Sequence, residues 1–349
     1  LNDLSHGATD MPDIIIAGSG SYVPETVISN EQLVQFMGEK SPAWIERYLG
    51  IKERRFMAPF DTDGNPMYQT DEVDMAYAAA SEAIKSADMR HEDIDGITLI
   101  SCTPMGNRER LSRIVFDLHL RLGLSPHCRV IHADLGCGGF IHCAVDAAEI
   151  LKGSDRRNML VVASNAPSKH FGGNRKSYLA ANAWLSSYIF GDGAGAIILR
   201  KQNESTGAGV IASYCGIDSS QPLMEYTSKN SEEQHVYSID AHAVNMGYRK
   251  YTKLAIEQLQ LRYPFKLSDV HRFYFHQANG RLLDTLVSEL GIPHDRVAKR
   301  VHVYGNTSAA ATPILFDEDR RSGQLMPGNV GLFCTIGAGT QYGAMLVSL

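Results

Sequence analysis

Cys137 is the residue of this sequence whose surroundings best suit a nucleophile. It lies in the segment LGCGGF, where a strand-like pattern stops and a largely apolar helical pattern begins. Glycine permits the tight turn that this change requires, and the unpaired N–H groups and dipole of a helix N-terminus favour a thiolate over a thiol. The sequence therefore predicts a reactive thiol, with a small buried core cysteine as the alternative.

The remaining cysteines are scattered without a CxxC pair, so neither a zinc site nor a disulfide framework is indicated. Reduced thiols are the expectation. Buried core positions suit Cys102, Cys143, Cys215 and Cys334.

Two further residues stand where strand-like patterns end. His276 follows the alternating aromatic segment RFYF and opens HQAN, and a neutral imidazole there can donate a hydrogen bond or accept a proton. Asn306 lies in VYGNTSAAATP, where the pattern predicts that a strand gives way to a glycine turn and a small-residue helix. Its amide can donate to a carbonyl oxygen without exchanging a proton. Taken singly, a structural histidine and an ordinary turn are the alternatives.

Two glycine-rich segments could bring backbone N–H groups close to a ligand. The terminal IGAGTQYG can do so because glycine leaves no side chain in the way, and a tight turn between strands is the alternative. The segment GDGAG at Asp192 lacks the Lys-Ser/Thr of a phosphate loop and the full dinucleotide fingerprint. The sequence therefore does not support a nucleotide site there.

A framework of alternating strands and helices is predicted around these residues. Strand-like runs occur in DIIIAGSGSYV, GITLISC, RVIHAD and NMLVVASN. Helical patterns lie between them in EVDMAYAAASEAIKSA and SRIVFDLHLRLGL, and the second places Ile114, Leu118 and Leu122 on one face. This alternation predicts the α/β class, with helices packed on a sheet.

The second part of the chain repeats this order of elements. SRIVFDLHLRLGLSPHCRVIHADLGCGGF aligns with GRLLDTLVSELGIPHDRVAKRVHVYGNTSAA, and FGDGAGAIILR aligns with IGAGTQYGAMLVSL. Repeats of this size predict two related half-structures, which we place at residues 11–200 and 201–349, with chance similarity as the alternative. Residues 1–10 precede the first Met and are interpreted as a flexible extension or a remnant of the expression vector.

Composition argues against several classes of protein. The 349 residues are 44% hydrophobic and 21% charged, as in ordinary globular proteins. A net charge of -6 without a long basic run argues against nucleic-acid binding. No apolar stretch approaches the roughly 20 residues that cross a bilayer, so we expect a cytoplasmic protein with no membrane partner.

Taken in order, these motifs resemble the ketoacyl-carrier-protein synthase III family of the thiolase superfamily. The resemblance rests on Cys137 in LGCGGF and on FGDGAGA, HQAN, YGNTSAA and IGAGTQYG. It also includes WIERYLGIKERRF, which is similar to that family's WIxxRxGIxxRR segment. The similarity spans nearly the whole chain from Ile14 onward.

The resemblance implies a five-layered αβαβα thiolase-like sandwich of two related halves, assembled as a homodimer, with a Cys-His-Asn site where the halves meet. Cys137 would attack an acyl thioester and hold the acyl group, while the backbone N–H groups of Cys137 and Ala338 form the oxyanion hole. His276 and Asn306 would donate hydrogen bonds to the carbonyl of a second thioester, whose enolate attacks the acyl group. The implied activity is that of an acyltransferase of the EC 2.3.1 class.

The same resemblance implies how substrates are held. They would be carried on the phosphopantetheine of acyl carrier protein or coenzyme A, with no metal and no other cofactor. Asn279 and Arg281 match the family's pantetheine-contacting residues, and Trp44 matches the aromatic residue that stacks on adenine. Ala338 stands where the family usually has glycine, a change that leaves the backbone donor in place.

Two departures from the family pattern affect the choice of carrier. Tyr48 occupies the position of the Arg in WIxxR, with Arg47 one position earlier, and Trp184 stands near the place of the Arg that precedes FGDGAG. Both changes weaken the binding of coenzyme A phosphates. Together with the unusual segment 166–185, they predict that the acyl donor arrives on an acyl carrier protein.

Three alternatives remain open at this point. The enzyme could pass its acyl group to an oxygen or nitrogen nucleophile, or join two carrier-bound β-ketoacyl chains into a product that closes to an α-pyrone. The chain could also be a non-catalytic thiolase-fold partner subunit, although such a subunit has no need of a complete triad. The presence of both His276 and Asn306 favours carbon–carbon bond formation over simple transfer.

Overall fold

A computed structural model describes most of the chain. The described residues are 14–37, 40–64, 67, 71–101, 113–170, 184–203, 207–220, 224–227 and 236–349. The predicted extension 1–10, Cys102, most of the segment 166–185 and the side chain of Trp184 lie outside the described residues.

Strands and helices alternate along the described residues. The strands are β1 (Ile14–Tyr22), β2 (Val27–Ser29), β3 (Glu53–Arg55), β4 (Gly96–Ser101), β5 (Arg129–Ala133), β6 (Asn158–Asn165), β7 (Gly193–Lys201), β8 (Gly209–Ile217), β9 (Met224–Thr227), β10 (Val236–Ile239), β11 (Arg272–Phe275), β12 (Val330–Ile336) and β13 (Gln341–Ser348). The helices are α1 (Asn30–Met37), α2 (Pro42–Leu49), α3 (Glu72–Ser86), α4 (Arg113–Leu122), α5 (Gly139–Gly153), α6 (Trp184–Ile189), α7 (Ala241–Arg262), α8 (Gly280–Glu289), α9 (Val301–Tyr304) and α10 (Ala311–Ser322).

Two sheets form the frame of the molecule. The first has the strand order β1-β7-β6-β4-β5, and the second, taken from its other edge, has the order β8-β13-β12-β11. In the first sheet β4 pairs in parallel with β5 and β6, whereas β7 pairs antiparallel with β6 and β1. The second sheet repeats the pattern, because β11 is parallel to β12 and β13 is antiparallel to β12 and β8.

Helices cover both sheets and also separate them. On one outer face α3 and α4 pack on the first sheet, and on the other α7 and α8 pack on the second. Between the sheets lie α5, which contacts strands of both, and α10. Since α5 is enclosed on both sides, its apolar side chains are not confined to one stripe. The layers are α, β, α, β and α, which confirms the predicted thiolase-like sandwich.

The two sheets confirm the internal repeat predicted from sequence. The first half has the order β4, α4, β5 and α5. In the second half β11, α8 and α10 correspond to β4, α4 and α5, and a single bridge between Phe273 and Val297 takes the place of β5. The predicted face of Ile114, Leu118 and Leu122 is buried in α4. The exact division at residues 200 and 201 stays a prediction.

One predicted strand is wrong. The residues before Asn306 form the short helix α9 rather than a strand, and the N–H of Gly305 donates to the carbonyl of Val301 at 3.1 Å. The side-chain oxygen of Gln277 accepts from the N–H groups of Arg300 and Val301 at 3.2 and 3.3 Å. Because these donors are satisfied by a side chain, the segment does not need a neighbouring strand.

The described residues contain neither a membrane-spanning helix nor a cluster of metal-binding side chains. No helix among them is both long enough and apolar enough to cross a membrane. No group of three or more His, Cys, Asp or Glu side chains among them is arranged to hold a metal ion.

Candidate active site

Cys137 lies in a single 3-10 turn, Gly136–Gly138, directly before α5. Gly136 has a φ of 56°, a conformation that glycine adopts without steric cost. Cys137 is only 9% exposed, and the hydroxyl of Ser308 donates to its Sγ atom at 3.2 Å. The thiol is therefore held at a helix N-terminus, as predicted, by a residue from the second half of the chain.

Burial opposes the predicted preference of Cys137 for the thiolate. Burial raises the pKa of the Cys137 thiol, although the hydrogen bond from Ser308 acts in the opposite direction. A helix dipole contributes about 0.3–1 kcal/mol, whereas full burial can shift a pKa by up to about 3–5 units. Burial thus favours the thiol in the resting site, and the proton leaves as Sγ attacks.

His276 follows β11 directly and is buried. Its backbone is held on both sides, since its N–H donates to the carbonyl of Cys334 at 2.9 Å and its carbonyl accepts from the hydroxyl of Tyr248 at 2.6 Å. Burial lowers the pKa of His276 to about 4, so the imidazole is neutral at physiological pH. Its Nδ1 atom has no hydrogen-bond partner among the described residues. Because Nδ1 is also buried, Nε2 is the ring atom that can reach a ligand.

Asn306 is positioned by its backbone and by one oxygen of its side chain. Its N–H donates to the carbonyl of Ile189 at 2.8 Å, and its own carbonyl accepts from Gly191 at 3.1 Å. The Oδ1 atom accepts from the N–H of Ser308 at 2.8 Å. Because Oδ1 is occupied in this way, the amide presents its Nδ2 donors toward a ligand. Ser308 thus contacts both the predicted nucleophile and the predicted amide donor.

The predicted triad meets in one cavity. Cys137 comes from the first half of the chain, whereas His276 and Asn306 come from the second. The rest of the described wall is mostly apolar and is formed by Ile189, Phe190, Val244, Tyr248, Ala278, Asn279, Ile336, Gly337 and Ala338. A buried thiol beside two neutral hydrogen-bond donors is suited to acyl transfer and to stabilising charge on a carbonyl oxygen.

Ala338 reaches this cavity on the turn between β12 and β13. Its N–H has no acceptor among the described residues, whereas the N–H of Cys137 lies against the Sγ atom of its own side chain. The Ala338 nitrogen lies 3.8 Å from the point where a Cβ atom on Gly136 would stand, so the two turns are in contact. The structure therefore brings together the two backbone donors that were expected to form an oxyanion hole, a role that stays a prediction.

Of the predicted substrate contacts, only Asn279 lines the cavity, and its side chain also caps α8 by accepting from the N–H of Leu282 at 2.9 Å. Arg281 donates instead to the carbonyls of Arg47 and Glu46 at 2.8 and 3.3 Å. It therefore caps the C-terminal end of α2.

The predicted adenine-stacking residue also belongs to α2. Trp44 lies on that helix with its ring 5.1 Å from that of Tyr48. Trp44 and Arg281 thus meet at α2 and are not among the residues that line the cavity.

Two residues that touch the triad escape prediction from sequence. Ser308 stands two positions after Asn306 in the motif YGNTSAA, and only the fold shows that its hydroxyl reaches a residue 171 positions away. Tyr248 belongs to α7, whose helical pattern indicates a buried face without showing which backbone carbonyl its hydroxyl meets. Proximity to a predicted active-site asparagine is the one signal that could have indicated Ser308.

Two family models match the chain. The model of 3-oxoacyl-[acyl-carrier-protein] synthase III matches residues 132–219, which include Cys137. The model of the C-terminal part of the same enzyme matches residues 262–349, which include His276 and Asn306. A curated relative, the beta-ketoacyl-[acyl-carrier-protein] synthase III of Staphylococcus aureus (strain JH1), is 30% identical over 341 residues, or 95% of this chain and 97% of the relative.

Solved structures share the fold over nearly the whole chain. The 3-oxoacyl-[acyl-carrier-protein] synthase III of Aquifex aeolicus VF5 has a TM-score of 0.80 and 25% identity, and the match covers 96% of this chain and 100% of that one. The priming beta-ketosynthase of the R1128 polyketide biosynthetic pathway has a TM-score of 0.80 and 25% identity, and the match covers 99% and 98% of the two chains.

Proposed function

The chain belongs to the 3-oxoacyl-[acyl-carrier-protein] synthase III family, and from this premise we propose that it is a condensing enzyme that acylates Cys137 and joins the acyl group to a second thioester. The observation that carries the proposal is the meeting of Cys137, His276 and Asn306 in one cavity. A thiol alone would serve transfer to any nucleophile. Two neutral donors beside it suit a second carbonyl on which negative charge develops.

In the first step, the Sγ atom of Cys137 attacks the carbonyl carbon of an acyl thioester. The bond from that carbon to the carrier sulfur breaks, the carrier leaves as a thiol with the proton of Cys137, and the acyl group stays on Sγ. The N–H groups of Cys137 and Ala338 donate to the carbonyl oxygen while it is negative. The hydroxyl of Ser308 stabilises Sγ as its proton leaves.

In the second step, His276 and Asn306 donate to the carbonyl oxygen of the second thioester. Its α-carbon loses CO₂ from a malonyl group or a proton from a β-ketoacyl group, and the two donors stabilise the enolate oxygen. That α-carbon then attacks the acyl carbon, and the bond from this carbon to Sγ of Cys137 breaks. The thiolate takes up a proton from water when CO₂ is lost, or the equivalent of the α-proton when a β-ketoacyl group is the nucleophile. A histidine whose pKa is near 4 suits this step because it enters neutral, with a proton available for hydrogen bonding.

We assign the acyl donor to an acyl carrier protein rather than to coenzyme A. Tyr48 stands on α2 where the family has an arginine, and its side chain is 53% exposed. Arg281 directs two of its donors to backbone carbonyls of α2, which leaves fewer for a phosphate. A tyrosine in place of that arginine disfavours the extra phosphates of coenzyme A more than the single phosphate of a carrier's phosphopantetheine.

A product assay with matched donors and extenders tests this function. We expect purified protein supplied with acyl carrier protein donors and a malonyl extender to release a product with a new carbon–carbon bond, detected by mass spectrometry after thioester hydrolysis. Coenzyme A donors should react more slowly. A product that joins two β-ketoacyl chains would identify α-pyrone chemistry. Esters or amides formed only when alcohols or amines are added would instead support acyl transfer.

We also propose that two copies of the chain associate along β5. This strand lies at the edge of the first sheet and pairs with β4 alone among the described strands. Next to it, α4 exposes Phe116 and Leu120, which are 57% and 77% exposed. An open strand edge beside exposed apolar side chains is typical of a surface that another chain covers.

Sedimentation equilibrium measures this association directly. The expected mass is twice the chain mass of 38.4 kDa, and L120E should shift the protein toward the monomer. The matched variant L261E changes an equally exposed leucine on α7 and should leave the dimer intact. A wild-type protein that sediments as a monomer at micromolar concentration would contradict the proposal.

A further inference from the structure

Gln341 lies between the two turns that carry the oxyanion donors of the proposed reaction, and it is 6% exposed. We propose that Gln341 is a positioning residue, which orients the N–H of Ala338 and sets its distance from Cys137. The inference rests on the proposed function, because it concerns the acyl-transfer step. It assigns a role to a residue that contacts no substrate in that mechanism.

The first argument comes from hydrogen bonds along the turn. The N–H of Gly337 donates to the backbone carbonyl of Gln341 at 2.8 Å. The N–H of Gly339 donates to the side-chain Oε1 atom of the same residue at 2.9 Å. Gln341 therefore satisfies the donors on both sides of Ala338, whose own N–H has no acceptor among the described residues. An N–H held between two fixed neighbours is preorganised for a ligand oxygen.

The second argument comes from packing against the turn of Cys137. A Cβ atom on Gly138 would lie 2.7 Å from Cγ of Gln341 and 3.0 Å from the nitrogen of Gly337. A Cβ atom on Gly136 would lie 3.3 Å from Nε2 of Gln341. These glycines let the glutamine side chain lie directly against the backbone on either side of the nucleophile, so Gln341 sets the spacing between the two turns.

A third contact holds the same pair of turns together. The hydroxyl of Thr335, near the end of β12, donates to the carbonyl of Gly138 at 3.1 Å. Gln341 itself begins β13, where it pairs with Ile217. Both residues thus belong to strands of the second sheet. The Ala338 donor is therefore held in place by the sheet and not only by its own turn.

The role requires both the length of glutamine and its oxygen. Methionine at this position would keep most of the packing against the glycines but could not accept from Gly339, so the Ala338 turn would lose one of its two restraints. Alanine would lose both the packing against the glycines and the hydrogen bond from Gly339, and would keep only the backbone bond from Gly337. A displacement of about 1 Å at a catalytic group can lower the rate about 10²-fold. We therefore expect the rate of acyl loading to fall while donor binding is retained.

Single-turnover loading of Q341M and Q341A with an acyl carrier protein donor tests the proposal. We expect loading at saturating donor to slow by about tenfold in Q341M and by about 10²-fold in Q341A, with the donor concentration at half-maximal rate changed less than about threefold. The control Y342F alters the next residue of β13, whose ring lies with Tyr214 and Tyr251 and not among the cavity-lining residues, and should load at the wild-type rate.

Thermal melting of each variant separates a positioning role from a structural one. Wild-type rates in both variants would overturn the proposal. So would a rate loss that follows only the unfolded fraction, or the failure of both variants to fold, because either result assigns Gln341 a structural role alone. A wild-type protein that cannot be loaded at all would instead reject the proposed function.

Discussion

Replacing Cys137 by alanine is expected to lower the rate of carbon–carbon bond formation by about 10⁴-fold or more. In the proposed reaction every acyl group passes through Sγ, and the loss of a covalent nucleophile removes the whole pathway rather than one stabilising contact. The structure offers no obvious substitute, because Cys137 is the one cysteine among the described residues that line the cavity. Product formation from a labelled acyl donor measures the effect.

Cys143 provides a matched control for this variant. It lies about one turn into the same helix, α5, and is buried at 2% exposure, but it does not line the cavity. The variant C143A should therefore keep condensation within a few-fold of wild type. Equal losses in C143A and C137A would show that disturbance of α5, and not loss of a nucleophile, explains the result.

Replacing His276 by alanine should separate the two half-reactions. Loading of Cys137 should continue within about tenfold of the wild-type rate, while condensation falls by about 10²–10³-fold, the usual effect of removing one donor to a developing oxyanion. The reason is geometric, because Sγ of Cys137 receives its hydrogen bond from Ser308 and not from the imidazole. Loading is followed by intact-protein mass and condensation by product formation.

The companion variant N306A is expected to be less selective. Asn306 also accepts from the N–H of Ser308, so its loss loosens the group that contacts Cys137, and loading should slow as well. The control H119A changes a histidine on α4 whose ring contacts the carbonyl of Ser125 and should leave both steps unchanged. Parallel loss of loading and condensation in H276A would instead make His276 the base for the first step.

The architecture could be predicted from the sequence because the same order of elements occurs in both halves of the chain. Each half repeats the same order of strands and helices, and the alignment of LGCGGF with YGNTSAA placed Cys137 and Asn306 at equivalent turns before α5 and α10. The error at α9 has a local cause. Gln277 accepts the N–H groups that a strand partner would have taken, and no periodic pattern reports such a contact.

The sequence pattern could not predict pKa shifts or hydrogen bonds between distant segments. A helix N-terminus was correctly predicted at Cys137, but the enclosing layers that raise the pKa of its thiol appear only in the fold. The same is true of Ser308 and Gln341, whose partners come from distant segments. Arg281 was assigned to substrate binding from sequence. In the fold it donates two hydrogen bonds to backbone carbonyls at the C-terminal end of α2, which the sequence did not indicate.

The most direct test of this account is the intact mass of wild type and C137A after incubation with matched acyl carrier protein and coenzyme A donors. We predict that the wild-type protein gains the mass of one acyl group, more rapidly from the carrier protein, and that peptide mapping places it on Cys137. C137A should gain no mass. If both proteins gain the same mass, the acyl group is not carried by Cys137. If neither protein gains mass from any donor, Cys137 is again not the acylated residue, and a non-catalytic partner subunit is favoured.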